Sequence, residues 1–125
     1  MSARGVLDAS TLILLGRITD VVALPEEPVI TAVTLAELSV GPVVAVSDVE
    51  RAARQAQLQA AEADFDPLPF DAAAARAFGA VAASLRREGR KPAARSYDAM
   101  IAVAHRLPVH TCNPRDFSGI GGLEV

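Results

Sequence analysis

Four acids stand where apolar runs end or helical ones begin: Asp8, Glu37, Asp98 and Asp116. They are far apart in the chain, so only folding can gather them. Carboxylates sharing one pocket cannot all stay ionised without a cation, and hard divalent cations prefer oxygen ligands. The chemistry open to such a set is phosphodiester hydrolysis, in which a bound divalent ion activates water and relieves charge on the phosphate. Taken singly, each acid has an ordinary role. Asp8 can cap the helix after it. Glu37 can close a capping box in Thr34-Leu35-Ala36-Glu37. Asp98 can complement the dipole of a helix begun by Ser96, and Asp116 can hold a turn in Asp116-Phe117-Ser118-Gly119.

The surroundings shift the weight toward a shared site. Asp98 enters a nearly uncharged helix through Tyr97-Asp98-Ala99-Met100-Ile101-Ala102, and a carboxylate on so apolar a face calls for a partner. Asp8 follows the apolar pair Val6-Leu7, with Ser10 and Thr11 ready to orient it. Asp48, Glu50 and Asp71 sit at helix caps, and Glu26, Glu27, Asp64 and Asp66 in polar loops, so none of these joins the set. His105 and His110 read as packing residues and Cys112 as a small buried one.

The elements that must position the acids follow from the pattern. Val6-Leu7 reads as a strand, with a helix over residues 10–15 that Gly16 weakens. Val29-Ile30-Thr31 reads as a second strand, followed by a helix from about Val33 that Gly41-Pro42 must kink or end. Ser47-Asp48-Val49-Glu50 is a capping box opening an alanine-rich helix to about Ala63. Residues 65–70, with two prolines, read as an irregular edge strand. Asp71 caps a helix whose spacing points to Ala75, Phe78, Ala82 and Leu85 as its inner face. Gly89 and Pro92 mark a loop, and Ser96 begins a helix with Tyr97, Met100, Ile101 and Ala104 inward. Residues 109–112 read as a strand, 113–116 as a turn and 123–125 as a last strand. This alternation predicts a mostly parallel sheet covered by helices on both faces. Sites in such sheets form beyond the strands' C-terminal ends. Asp8 and Asp116 follow strands, Glu37 lies one or two turns into the helix after the second strand, and Asp98 lies in the first turn of a helix that runs into a strand. This permits one shared pocket.

Composition bounds the rest. One domain over residues 1–125 is expected, long enough to bury a core, and 51% of residues are apolar. No apolar run approaches membrane-spanning length, and no secretory signal is expected at the start. The single cysteine suits a reducing cytoplasm. A net charge of −3 argues against bulk electrostatic attachment to nucleic acid. Locally, Arg86, Arg87, Arg90, Lys91 and Arg95 cluster before the Asp98 helix, and Arg115 stands beside Asp116. These could contact phosphate, or equally form a solvated helix end and loop.

The chain resembles PIN-domain proteins, and more narrowly the VapC-type toxins of bacterial toxin–antitoxin pairs. The marks are Leu7-Asp8-Ala9-Ser10, then Thr31-Ala32-Val33-Thr34-Leu35-Ala36-Glu37-Leu38, then Tyr97-Asp98-Ala99-Met100-Ile101-Ala102, then Thr111-Cys112-Asn113-Pro114-Arg115-Asp116-Phe117, with Gly122 to Val125 closing. The resemblance implies a three-layer α/β/α fold with a central sheet of four to five strands. It implies a cytoplasmic endoribonuclease that cuts exposed loops of tRNA or rRNA, with Mg²⁺ or Mn²⁺ held by Asp8, Glu37, Asp98 and Asp116. It also implies inhibition by a VapB-type antitoxin, and a homodimer. The kinked apolar region Leu35 to Val46 and the alanine-rich helix after it could form a groove for an antitoxin helix, though ordinary core packing explains most of those residues without a partner. Some relatives carry a further acid where this chain has Asn113. Asn113 and Ser10 are then candidates to fix carboxylate orientation, and Arg90, Lys91, Arg95 and Arg115 to contact RNA.

Two other functions compete. A PIN-like module could bind RNA or protein without cutting it. Asp8 followed by Ser10-Thr11 also faintly resembles the nucleophile loop of haloacid-dehalogenase-like phosphatases. That loop normally has a second aspartate where this chain has Ser10, and Lys91, the only lysine, lies in a loop.

Overall fold

The computed structural model describes residues 4–14, 24–112, 114–117 and 123, leaving out the side chains of Ala94, Arg95 and Asp116. Strands and helices alternate at the start. β1 (Arg4–Leu7) leads into α1 (Ala9–Ile13), and β2 (Glu27–Val29) into α2 (Ala32–Val44). Then come α3 (Asp48–Asp64), α4 (Ala72–Arg87), α5 (Ala94–His105), β3 (Val109–His110) and one 3₁₀ turn at Pro114–Asp116. β1 is central in the order β2-β1-β3, and both its neighbours run parallel to it.

Successive strand residues face opposite ways, and this divides the core. Val6 packs with Val81 and Leu85 of α4, Met100 of α5, and Val109 and Phe117. Its neighbour Leu7 packs with Ile30, Leu38 of α2 and Ala61 of α3. Helices therefore cover both sheet faces, as a buried parallel sheet requires. The result is the expected α/β/α arrangement.

The sheet is smaller than the four to five strands expected. Among the described residues it has three, plus a single bridge between Thr31 and Leu68. The 65–70 segment contributes only that bridge, with Leu68 N–H donating to the Ile30 carbonyl (2.9 Å) and Ala32 N–H to the Leu68 carbonyl (2.8 Å). Pro67 and Pro69 flank it and have no amide hydrogen to extend the ladder. Of the expected last strand, only Leu123 is described, and it is not in a strand. β2 also begins earlier than expected and takes in Pro28, which an outer strand tolerates.

Helix ends mostly follow their caps. Ser47 accepts from Glu50 N–H (3.1 Å) and Asp71 from Ala74 N–H (3.1 Å). Helix α2 departs from expectation in two ways. Its cap is Thr31, not Thr34, which lies inside the helix. It also runs through Pro42 to Val44. Side chains from α3 satisfy the carbonyls around that point: Arg54 donates to Gly41 O (3.0 Å) and Arg51 to Pro42 O (3.3 Å). The inner face of α4 meets the expectation at Leu85 and is displaced by one residue toward its start. Ala74, Val81, Ser84 and Leu85 are buried, while Ala75 is exposed and the Phe78 ring lies half out beside Tyr97. Helix α5 starts at Ala94, before Ser96, whose hydroxyl accepts from Ala93 N–H (2.9 Å). Asp98 is therefore a turn deeper than the helix start.

Gly5 sits under the His110 ring. A Cβ built there would lie 2.5 Å from two ring atoms and 3.2 Å from Pro25 Cβ. Gly5→Ala should therefore destabilise the fold by about 1–3 kcal/mol, the usual cost of overpacking, and chemical denaturation would read it. An unchanged unfolding midpoint would mean that His110 swings away freely.

Candidate active site

The three strands end together. Val6 pairs with Val29 and Val109, and Leu7 with His110. Continuing that register sets Asp8 beside Thr31 on one flank and Thr111 on the other. All three lie at the C-terminal edge, where open parallel sheets carry their sites.

Asp8 is fully buried and densely held. Its Oδ1 accepts from Thr11 N–H (3.0 Å) and from the Ser10 hydroxyl (2.9 Å). Its Oδ2 accepts from the Thr111 hydroxyl (2.5 Å). The capping role and the site role therefore coexist in one side chain. Thr11 ties the helix start to β3 by donating to the His110 carbonyl (3.1 Å).

Asp98 is also 0% exposed but is held unevenly. Its Oδ1 accepts from the Thr31 hydroxyl and, at 3.4 Å, from the Thr34 hydroxyl. Its Oδ2 is buried with no hydrogen-bond partner among the described residues. Burial pushes the carboxyl up from 3.8 to about 7. The Thr31 hydrogen bond works against this rise, the charges of Glu37 and Asp8 add to it, and Thr34 opposes it weakly. Glu37, on α2, is half-buried. Asp8, Glu37 and Asp98 thus share one electrostatic neighbourhood. Among the described residues, however, no three acid, imidazole or thiol side chains are grouped as closely as a metal cage. Asp116 follows β3 in the 3₁₀ turn, with its side chain outside the described set.

No protein-family model matches the chain. It is 37% identical over 123 residues to "Ribonuclease VapC5" of Mycobacterium tuberculosis (strain ATCC 25618 / H37Rv), a match covering 96% of this chain and 90% of that one. The chain belongs to the VapC family of PIN-domain proteins. The crystal structure of VapBC-5, a member of the VapBC family of toxin–antitoxin systems from the same species, superposes with a TM-score of 0.84 at 34% identity. That match covers 98% of this chain and 96% of the other. VapBC2 from Rickettsia felis, bound to a DNA fragment from its promoter, gives a TM-score of 0.79 at 18% identity, over 97% and 96% of the two chains. At that identity the likeness shows the fold alone.

Within this VapC-family fold the basic segment reaches the acid-bearing turn. Arg90 donates to the Arg115 carbonyl (3.0 Å), next to Asp116. Lys91 and Arg115 are exposed. The Arg95 side chain and all of Asn113 lie outside the described residues. Ser10 does hydrogen-bond Asp8, whereas Cys112, expected to be buried, is exposed in the loop past β3. The strand ends at His110, so Cys112 never enters the core. Among the described residues, no helix is long and apolar enough to cross a membrane.

Sequence reasoning missed the threonines Thr31, Thr34 and Thr111 as partners of the acids. A usable signal was present. Thr31 and Thr111 each stand just past a strand parallel to the one that delivers Asp8, so a parallel register aligns all three.

Proposed function

We propose that this protein is a metal-dependent endoribonuclease, the toxin of a toxin–antitoxin pair. In this reading Asp8, Glu37, Asp98 and Asp116 hold Mg²⁺ or Mn²⁺. The observation that carries it is Asp98. A buried carboxylate with one oxygen unpartnered among the described residues, beside two further acids, needs either a proton or a cation, and an all-oxygen donor set fits a hard divalent ion. The ion, when bound, would activate water and relieve charge on the phosphate. The chain's own residues do the rest. Ser10, Thr11 and Thr111 fix the Asp8 carboxylate, and Asn113 is assigned a like role toward Asp116. Arg90, Lys91, Arg95 and Arg115 take the RNA backbone. Arg90's bond to the Arg115 carbonyl supports this, because it keeps a guanidinium beside the acid-bearing turn. The substrate class is structured RNA, tRNA or rRNA, cut in unpaired loops.

The partner is a VapB-type antitoxin. Support comes from the exposed valines where α2 meets α3: Val40, Val43, Val44, Val46 and Val49, of which Val43 is 80% and Val46 90% exposed. Apolar surface of this kind marks an interaction site and suits the apolar face of a helix. The protein acts as a single cytoplasmic domain and pairs with a second copy of itself.

Incubation with total tRNA and rRNA tests the reading. Discrete fragments are expected with Mg²⁺ or Mn²⁺, none with chelator, and suppression by the co-purified antitoxin. RNA retained equally with and without chelator, and never cut, would establish a binding module instead.

A further inference from the structure

We infer that Thr31 and Thr34, at the start of α2, are positioning residues for the cation site. Both hydroxyls converge on one oxygen of Asp98 and leave its other oxygen, buried and without a hydrogen-bond partner among the described residues, to the ion. The inference deepens the proposed function and rests on it.

Thr31 is placed with unusual definition for a residue between a strand and a helix. Its backbone bridges Leu68, through the hydrogen bonds that Ile30 and Ala32 make to that residue. Its side chain is fully buried. The hydroxyl oxygen accepts from Thr34 N–H (3.1 Å), capping α2, while the hydroxyl hydrogen goes to Asp98 Oδ1. A hydroxyl has one hydrogen to donate and lone pairs to accept, so the cap and the bond to Asp98 use different parts of one group. Because the cap's acceptor bond fixes the oxygen, the hydrogen has little choice of direction. Thr34, one turn on, adds a weaker donor at 3.4 Å to the same carboxylate oxygen.

The consequence is an oriented carboxylate. Donors on one oxygen only set the plane of the group and single out the other. Groups that orient a metal ligand in this way commonly change metal affinity about 10–100-fold when removed. α2 also carries Glu37, so the helix that presents one acid steadies another.

Calorimetric titration of the purified protein with Mn²⁺ tests this, alongside melting in chelator and RNA cleavage. Thr31→Val keeps the shape and removes the hydroxyl. It should weaken Mn²⁺ binding at least about tenfold. Thr31→Ser, which keeps the hydroxyl, should restore binding to near the wild-type value. Thr34→Val leaves the cap intact and should weaken binding less than Thr31→Val. Ser47→Ala is the control for capping itself. It removes the comparable cap of α3, an exposed hydroxyl that accepts from Glu50 N–H, and should lower the melting temperature while leaving Mn²⁺ affinity unchanged. Wild-type affinity in Thr31→Val, equal weakening by Ser47→Ala, or failure of Thr31→Ser to restore binding would overturn the inference. If all variants bind Mn²⁺ and cut RNA like the wild type, only this inference falls. If the wild type itself neither binds Mn²⁺ nor cuts, the proposed function falls and takes the inference with it.

Discussion

Asp98→Asn should abolish RNA cleavage, by about a hundredfold or more, yet give a protein that melts higher than the wild type in chelator at pH 8. The two effects have one cause. The wild-type carboxyl is pushed from 3.8 to about 7, so holding it ionised without a cation costs on the order of 4 kcal/mol. Asparagine avoids that charge and still offers one oxygen to the Thr31 and Thr34 hydroxyls. Its amide then occupies the unpartnered position, at a cost of about 1–3 kcal/mol. The net gain is smaller than the charge cost but should raise the melting temperature by several degrees, roughly. Asp8→Asn should also lose cleavage but should melt lower. Asp8 uses both oxygens as acceptors for Ser10, Thr11 and Thr111, and an amide turns one of these acceptors into a donor. Melting curves and cleavage assays on both variants separate a ligand role from a purely structural one. Cutting by either variant at the wild-type rate would remove that acid from the site.

The contrast between the two aspartates bears on what the chain reveals before it folds. Asp8 was legible because local rules place it. It follows an apolar pair, precedes a helix start, and has Ser10 and Thr11 within one turn. Asp98 was legible by contrast, as a charge on an apolar helix. Their partners were not, because the capping-box pattern falls on Thr34, with Glu37 three residues on, while Thr31 has Thr34 at that place and offers only a cap-type hydroxyl. Only the bridge to Leu68 and the sheet register settle which one caps. Alanine explains the displaced face of α4. A helix rich in one small residue offers little periodicity to read, so Ala74 and Ala75 are indistinguishable until Val81 and Leu85 meet the sheet. Pro42 shows the opposite limit. α2 runs through it to Val44, and the last-turn carbonyls of Gly41 and Pro42 are taken by Arg54 and Arg51 of α3, donors that no nearby pattern announces. Cys112 closes a strand-like run that extends two residues past the end of β3. The turn that begins after His110 moves it from core to surface.

Removing metal should make the stability of the wild type fall as pH rises from about 4 to about 7, in a way Asp98→Asn does not share. In the folded chain the Asp98 carboxyl keeps its proton up to about 7, whereas unfolded it releases it near 3.8. Between those values the folded state binds more protons than the unfolded one, so the free energy of unfolding declines with pH. The contribution is fully present below 3.8 and fully lost above about 7. Denaturation across this range, wild type against Asp98→Asn in chelator, isolates it because the other groups are common to both. Added Mn²⁺ should reverse the decline in the wild type. Ligand that binds only the folded state adds about 2.7 kcal/mol at a hundred times its Kd. Since the ion competes with the Asp98 proton, this gain should be larger at pH 8 than at pH 6. Wild-type and Asp98→Asn stabilities that run parallel with pH in chelator would mean that the buried carboxylate already has a partner. Asp98 would then have no need of a cation at this strand edge.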